Sequence, residues 1–374
     1  MSRSHNFSVI IIGPSADAFS GSLLRPINIY YSLKDLKNLE VNYIPIRKII
    51  DLLLQLPLVF SGDLIIVSGV NPWISAIISF LGKVMGKIVV VDFHGFAWLE
   101  YTIMNSTSTR FPIRVLLLVS ERVSYRFSKY VITASRWLAN ALSYYFGNRG
   151  NVFVIENSVP YIFEKVVNEL SRRFNVRLLR RYACKQFIRG SDCSDKSLLI
   201  APLPSIFKSN ILAYEELLRL ERSLSKGAII IVTGIKDDKA LHGSLNRAFP
   251  VGYVGYVDYV VLLLVSDGVF LPYPNNAICG GIRNKILEAG FIRKFVISTK
   301  AGMMHVKALP NIHYIAIDDM GTIQNLSKEI FQNIAENLSN LIKEKHSFIM
   351  FKKSLFRFLL IGGICTEIIK SSEV

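Results

Sequence analysis

Acidic side chains are in short supply in this chain: 28 Asp and Glu stand against 44 Lys and Arg, leaving a formal charge of +16. That imbalance calls for an anionic partner or surface, such as a nucleotide diphosphate, a lipid phosphate, an acidic membrane face or nucleic acid. Nucleic acid has the least support, because helix-turn-helix, RNP and zinc-finger signatures are all missing. Cysteine is scarce as well. Cys184, Cys193, Cys279 and Cys365 show neither CxxC nor Cys/His spacing. We therefore expect no zinc site and no disulfide framework, as in a reducing cytoplasm. The N-terminal MSRSHNFSVIIIG lacks the pattern of a signal peptide, its apolar run being only strand length. There is no GxSxG, no phosphate-loop GxxxxGK and no HExxH. The adjacent pairs Asp237-Asp238 and Asp318-Asp319 read as solvated turns, not as a metal-holding DxD.

Apolar residues, by contrast, are plentiful. They make up 51% of 374 residues, and the mean hydropathy is +0.36. A chain of this length and composition suits two α/β cores better than one. The run Leu64 to Gly82 is uncharged and long enough to span a bilayer. Ser68-Gly69 and Asn71-Pro72 interrupt it, and Pro72 is placed to open a helix, so strand, loop and helix describe it better. No membrane-spanning segment is expected.

Apolar strands alternate with helical stretches throughout, the pattern of a parallel sheet covered on both faces. In the first half, strands are expected at Phe7–Ile12, Val41–Pro45, Asp63–Val67, Lys87–Asp92, Tyr130–Thr133 and Val152–Ile155. Helices are expected at Ser22–Leu36, Pro72–Met85, Ile113–Ser128 and Ala134–Phe146, and Ile49–Phe60 is helical or irregular. The second half repeats the grammar, with strands at Leu198–Ala201, Ala228–Gly234, Val251–Val254, Gly268–Pro272, Phe295–Ser298 and Tyr314–Ile317. Helices there are expected at Ile211–Ser225 and Tyr259–Val265, with a long amphipathic stretch from Ile323 to Lys345. Between the halves, Arg172 to Arg189 holds seven basic residues and no acidic one. If helical, it places Arg173, Arg177 and Arg181 on one face. Such a run is either a solvated helix or an electrostatic contact with anionic lipid; its lack of acidic partners favours lipid.

Asn276 to Gly302 is the most informative segment. Gly280 and Gly281 lead into a short helix carrying Lys285 and Glu288, then a β-rich run. A loop entering a helix offers free N–H groups and a positive dipole end, which suit a phosphate. Glu288, about two turns in, can take the two hydroxyls of a ribose. An ordinary βαβ turn with a surface Glu fits the same residues.

The order of these parts resembles glycosyltransferase family 4. The matching pieces are Gly13 to Arg25 (GPSADAFSGSLLR), Asp92-Phe93-His94-Gly95, Ser120-Glu121-Arg122 through Tyr130 to Ser135, and Val154 to Val159. Gly255 to Pro272, Asn284 to Ala289 and Phe295 to Thr299 continue the series. Each piece is weak alone; their shared order along nearly the whole chain is not. The resemblance implies the GT-B fold: two Rossmann-like domains facing each other across a cleft. It implies an N-terminal domain over residues 1–160, a basic linker over 161–197 and a nucleotide-sugar-binding domain over 198–345. Residues 346–374 return to the first domain.

The implied function is transfer of a hexose from a nucleotide diphosphate sugar to an acceptor hydroxyl, with retained configuration, no metal and no cofactor. The charge and hydrophobicity suggest a lipid-linked or membrane-proximal glycan as acceptor. They also suggest a cytoplasmic protein peripheral to the inner face of the membrane, without nucleic acid as partner. His94 and Glu288 are the implied catalytic-site residues. Gly21, Lys208, Gly280, Gly281, Arg283 and Lys285 are the implied donor-binding set. Two departures stand out. Gly280 occupies a position where the family often has a Glu, and the Arg that often accompanies the Lys at 208 is replaced by apolar residues or Pro. Two alternatives follow: a non-catalytic GT-B protein binding a nucleotide sugar or a partner, and a sugar-nucleotide epimerase on the same fold.

Overall fold

The computed structural model describes residues 7–15, 21–104, 111–188, 196–204, 208–220, 228–235, 248–317 and 327–364. Several expected features lie outside these residues: Ala16–Ser20 of the first glycine loop, Ser205–Phe207 before Lys208, Arg189, Asp237-Asp238, Asp318-Asp319 and the end of the chain from Cys365. The chain divides into two compact units. The first comprises Met1–Tyr161, Cys279–Ile282 and Ser347–Val374; the second comprises Ile162–Ile278 and Arg283–His346.

In the first unit the strands are β1 (Phe7–Gly13), β2 (Leu39–Pro45), β3 (Leu64–Ser68), β4 (Ile88–Phe93), β5 (Tyr130–Thr133) and β6 (Val152–Val154). They form an all-parallel sheet in the order β2-β1-β3-β4-β5-β6. Continuous apolar strands arise because both faces are covered, and alternate side chains go to opposite cores. Ile10 and Ile12 of β1, Ile65 and Val67 of β3, and Val89 and Val91 of β4 enter one core. Val9, Ile11, Leu64, Ile66 and Val90 enter the other.

The first core is covered by helices α2 (Ile49–Val59), α3 (Pro72–Val84), α4 (Ala97–Met104), α5 (Phe111–Phe127) and α6 (Arg136–Phe146). α1 (Gly21–Leu33) covers the second core through Ile29 and Leu33. The last described helix, Phe348–Ile361, completes that core with Phe351, Leu355, Phe358 and Leu359. Pro72 opens α3 as its first residue, where a missing N–H costs nothing.

The second unit carries β7 (Ser197–Pro202), β8 (Ala228–Thr233), β9 (Ala248–Pro250), β10 (Gly268–Leu271), β11 (Phe295–Ser298) and β12 (Ile315–Ala316). They form a second parallel sheet in the order β12-β11-β10-β7-β8-β9. Its helices are α7 (Tyr161–Arg173, from Ile162), α8 (Val176–Phe187), α9 (Lys208–Leu220), α10 (Tyr256–Val265), α11 (Asn284–Phe291) and α12 (Lys328–His346); Phe348–Ile361 is then α13.

Four expectations change. Residues 161–187, read as linker, form α7 and α8 of the second unit. Asn175 accepts from the Arg177 N–H and caps a new helix, so Arg173 belongs to a different helix from Arg177 and Arg181. The basic run also finds acids elsewhere in the chain. Arg173 pairs with Glu169, and Arg180 bonds Asp267 at 3.2 Å and the Lys196 carbonyl at 2.6 Å. The strand expected at Val251–Val254 lies at Ala248–Pro250, because Gly252 turns the backbone to a φ of 72°. Cys184 is disulfide-bonded, where no disulfide framework was expected. Spacing rules for zinc sites and multi-bridge frameworks do not detect a single bridge. Among the described residues no helix is long and apolar enough to cross a membrane.

Candidate functional site

In the second sheet β7 has β8 on one side and β10 on the other. Loops leaving the C-terminal ends of such a pair diverge and leave a crevice where ligands collect. α9 starts after β7 with Lys208, and Tyr273 follows β10. Lys285, in the first turn of α11, donates to the Asn210 side-chain oxygen at 2.8 Å and to the Tyr273 hydroxyl at 2.7 Å. Tyr273 in turn donates to Asn210 at 2.5 Å, and Asn210 donates to the Pro204 carbonyl at 2.9 Å. Asn210 and Tyr273 are both buried. This network fixes an ammonium group at the first turns of α9 and α11, where the helix dipoles also favour an anion.

Glu288 lies one turn further along α11 and is 2% exposed. Tyr259 of α10 donates to its Oε2 at 2.5 Å. Burial pushes the Glu288 carboxyl up to about 7, against the opposing pull of the Tyr259 hydrogen bond and the Lys285 charge. Its second oxygen makes no hydrogen bond among the described residues and keeps its capacity to accept.

In the first unit the same switch occurs at β1, which has β2 on one side and β3 on the other. Ser68 ends β3 and is the register partner of Asp92 on β4. The Ser68 hydroxyl donates to Asp92 Oδ2 at 2.7 Å. Arg25 of α1 grips Asp92 with Nε, at 2.9 and 3.0 Å, and with Nη2, at 2.8 Å; its Nη1 donates to Asn157 Oδ1 at 3.0 Å. Burial alone would raise the Asp92 carboxyl, but Arg25 and His94 outweigh it and hold the group well below the usual carboxylate range.

His94 Nε2 lies 2.9 Å from Asp92 Oδ2 and 2.8 Å from the Ser68 oxygen. An ionised Asp92 only accepts, and the Ser68 proton is already committed to it, so Nε2 carries the hydrogen. In the neutral ring Nδ1 is then the acceptor, and His94 is the one partly exposed side chain of the Asp92–His94 pair, at 20% against 0%. It can take a hydroxyl proton into a hydrogen bond. Just beyond, buried Glu121 accepts from the N–H groups of Ala97 and Trp98 at 2.7 and 3.0 Å and fixes the start of α4. Burial pushes that carboxyl up to about 8.

Segment Cys279–Ile282 is part of this unit. Ser135 donates to the Gly280 carbonyl at 2.6 Å and Asn157 to the Ile282 carbonyl at 2.8 Å. A Cβ on Gly280 would meet the His94 carbonyl and the Gly95 Cα, each at 2.4 Å. The absence of a Glu at 280 therefore has a steric reason: main chain lies against main chain there. The N–H groups of Gly280 and Gly281 have no acceptor among the described residues.

The candidate residues thus separate. Lys285 is fixed beside Asn210 on α9, two residues after Lys208. Lys208 is half-buried and makes no hydrogen bond among the described residues. Arg283 is not a spare cation for a ligand. Its guanidinium donates to the Ala277 and Ala301 carbonyls at 2.5 and 2.8 Å and stacks 3.9 Å over the Tyr273 ring. Gly21 is the first residue of α1. Sequence reasoning missed Asn210, Tyr273 and Tyr259, whose side-chain partners lie 12 to 75 positions away. Asp92 was the more legible omission, being two positions from His94 on a strand end.

No family model matches the chain, and no curated protein matches it. Solved structures do. Anabaena HepE, determined with UDP-glucose, superposes with a TM-score of 0.67 at 15% identity, covering 94% of this chain and 99% of that one. The trehalose-phosphate synthase of Burkholderia xenovorans, determined with glucose-6-phosphate, gives 0.63 at 9% identity over 94% and 99%. A Listeria monocytogenes protein described as a UDP-N-acetylglucosamine 2-epimerase gives 0.54 at 9% identity over 95% and 96%. The chain has the GT-B fold of such proteins, with its two Rossmann-like units.

Proposed function

We propose that this protein is a glycosyltransferase moving a hexose from a nucleotide diphosphate sugar to an acceptor hydroxyl. The observation that carries the reading is the joint placement of a fixed ammonium (Lys285), the start of α11 and a buried carboxyl (Glu288) at the switch point of the second sheet. Lys285, Lys208 and the N–H groups at the start of α11 stabilise the leaving diphosphate as charge develops on it. Glu288 accepts from ribose hydroxyls through its free oxygen. His94 receives a hydroxyl of the sugar or acceptor at Nδ1. The C1–O bond to the diphosphate breaks as the acceptor oxygen bonds C1 on the same face, and the acceptor proton passes to the leaving phosphate oxygen. With cations and helix N–H groups in that role, transfer needs no metal. Solved neighbours with UDP-glucose and glucose-6-phosphate support a nucleotide sugar and a hydroxylated acceptor. The net charge of +16 supports a lipid-linked or membrane-proximal acceptor and a peripheral place on the inner membrane face.

Thermal shift of the pure protein against UDP, GDP, ADP and CMP and their sugars, with and without EDTA, tests the donor site. A rise with one diphosphate, unaffected by EDTA and lost in Glu288→Ala, supports the reading. No rise with any nucleotide overturns it. The tight packing at Gly280 and the engagement of Arg283 by carbonyls favour a second reading, in which the protein binds a nucleotide sugar without transferring it. Turnover that disappears in Glu288→Ala rejects that alternative. Interconversion of the donor with no acceptor present would instead identify the epimerase, the other activity associated with this fold.

A further inference from the structure

The helices over one face of the first sheet are apolar on their outer side as well as their inner side. α2 buries Leu52 and Val59 yet exposes Ile49, Ile50, Leu53, Leu54 and Leu58, with Leu54 at 76%. α5 exposes Phe111, at 77%, and Val115, Leu116 and Val119. Val84 and Met85 continue the surface at the end of α3, which packs between sheet and solvent beside them. A surface helix normally turns charge outward at such positions, and this many exposed apolar side chains on helices covering one sheet face mark an interaction site.

The charge around this patch is mostly basic. Between Arg47 and Gly150 every exposed charged side chain among the described residues is basic. Arg47 and Lys48 open α2, Lys83 closes α3, and Arg122 and Arg126 occupy the last turns of α5. The acids of the same stretch, Asp51 on α2 included, are engaged within the chain, and Glu100 accepts from the Phe96 N–H. Asp92 holds Arg25, Glu121 caps α4, Asp63 accepts from the Ser8 N–H, and Asp51 accepts from the N–H groups of Arg47 and Lys48.

We propose that the outer face of α2, α3 and α5 seats on an anionic lipid bilayer, with the leucines and Phe111 entering the acyl boundary and the arginines and lysines on the headgroups. This deepens the membrane-proximal reading above and rests on it. Apolar side chains ringed mainly by basic charge are what a bilayer of anionic lipid selects, since apolar depth and headgroup attraction add.

Co-sedimentation of the full chain with vesicles of phosphatidylcholine plus phosphatidylglycerol, and of phosphatidylcholine alone, provides the test. We expect binding to the anionic vesicles, with partition lowered more than about tenfold by Leu54→Glu combined with Leu116→Glu. Lys48→Glu with Arg122→Glu lowers it about tenfold or more at low salt. Both pairs are on the surface, so melting temperature and nucleotide-induced thermal shift stay as in the wild type. Three outcomes overturn the proposal: no binding to either vesicle; undiminished binding in both variants with loss in Arg177→Glu of α8; or a dimer without lipid that Leu54→Glu converts to monomer. A protein that shifts with a nucleotide but ignores vesicles defeats this surface alone, whereas one that binds vesicles but no nucleotide defeats the donor site alone.

Discussion

Asp92 in the first unit and Glu288 in the second are carboxyls at strand-end crevices, buried to 4% and 2% exposure, and they are held in opposite states. Asp92 has a guanidinium gripping both oxygens and stays ionised. Glu288 has a tyrosine hydroxyl and a more distant ammonium, and burial pushes it up to about 7. The same side-chain chemistry gives a permanent anion in one unit and a titrating acceptor in the other. The partner decides which, since only a full opposite charge in contact offsets desolvation. The anion positions His94 through Nε2 and leaves Nδ1 as the acceptor of the neutral ring. The titrating group keeps one oxygen for an incoming hydroxyl.

The largest effect expected is that of Asp92→Asn, which leaves the Arg25 charge buried without its counter-charge. It should cost about 3–5 kcal/mol in urea unfolding, with part recovered in the double variant Arg25→Met, Asp92→Asn. A cost below about 1 kcal/mol would mean that the pair is not the fixed charge described. Gly280→Ala comes next. Its new methyl meets the main chain at His94 and Gly95, and a loss of about 1–3 kcal/mol in thermal or urea unfolding is expected. Gly281→Ala, which meets the Ala134 side chain at 2.7 Å, should cost less.

Glu288 allows a test by pH. Its folded carboxyl lies above the ordinary value of 4.5, so the folded chain holds the proton more tightly than the unfolded chain. That contribution is fully present below about pH 4.5 and is lost as pH rises through about 7. Melting temperature should therefore decline across this window in the wild type, and Glu288→Gln should flatten the decline. Glu121, at about 8, extends the fall to higher pH, and Glu121→Gln removes that part. Donor affinity should run the other way, strengthening as pH rises through about 7 because the carboxylate is the better acceptor; calorimetric titration in Glu288→Gln should show no such rise. The smallest effect is expected from Tyr259→Phe, about 1 kcal/mol. It removes a bond that favours the ionised form, so the midpoint for donor binding should move upward in pH.

Most strands and helices were legible because burial on both sheet faces leaves an unbroken apolar run, and alternation with helices leaves little ambiguity. α4 escaped notice. Ala97–Met104 has no polar stripe of its own, and its start depends on Glu121, which is 24 positions away. The break at Asn175 was readable as a helix cap but was overlooked within the basic run. At the candidate site, Lys285 and Glu288 could be picked out by their spacing on one short helix, and His94 by its place at a strand end. Which cations remain available for a ligand could not be read, since that depends on carbonyls such as Ala277 and Ala301 reaching Arg283. The reason for glycine at 280 was equally hidden, because it lies in main chain nearly two hundred positions earlier.

The first unit draws its last helix, α13, from beyond the second unit, and that helix supplies Phe351, Leu355, Phe358 and Leu359 to one face of the first sheet. During synthesis the first unit leaves the ribosome with that face covered by α1 alone, and it stays so while nearly two hundred further residues are made. The second unit holds its own sheet and can fold in the interval. The half made first is thus the half finished last, and while it waits it presents a sticky sheet to chaperones and to other nascent chains.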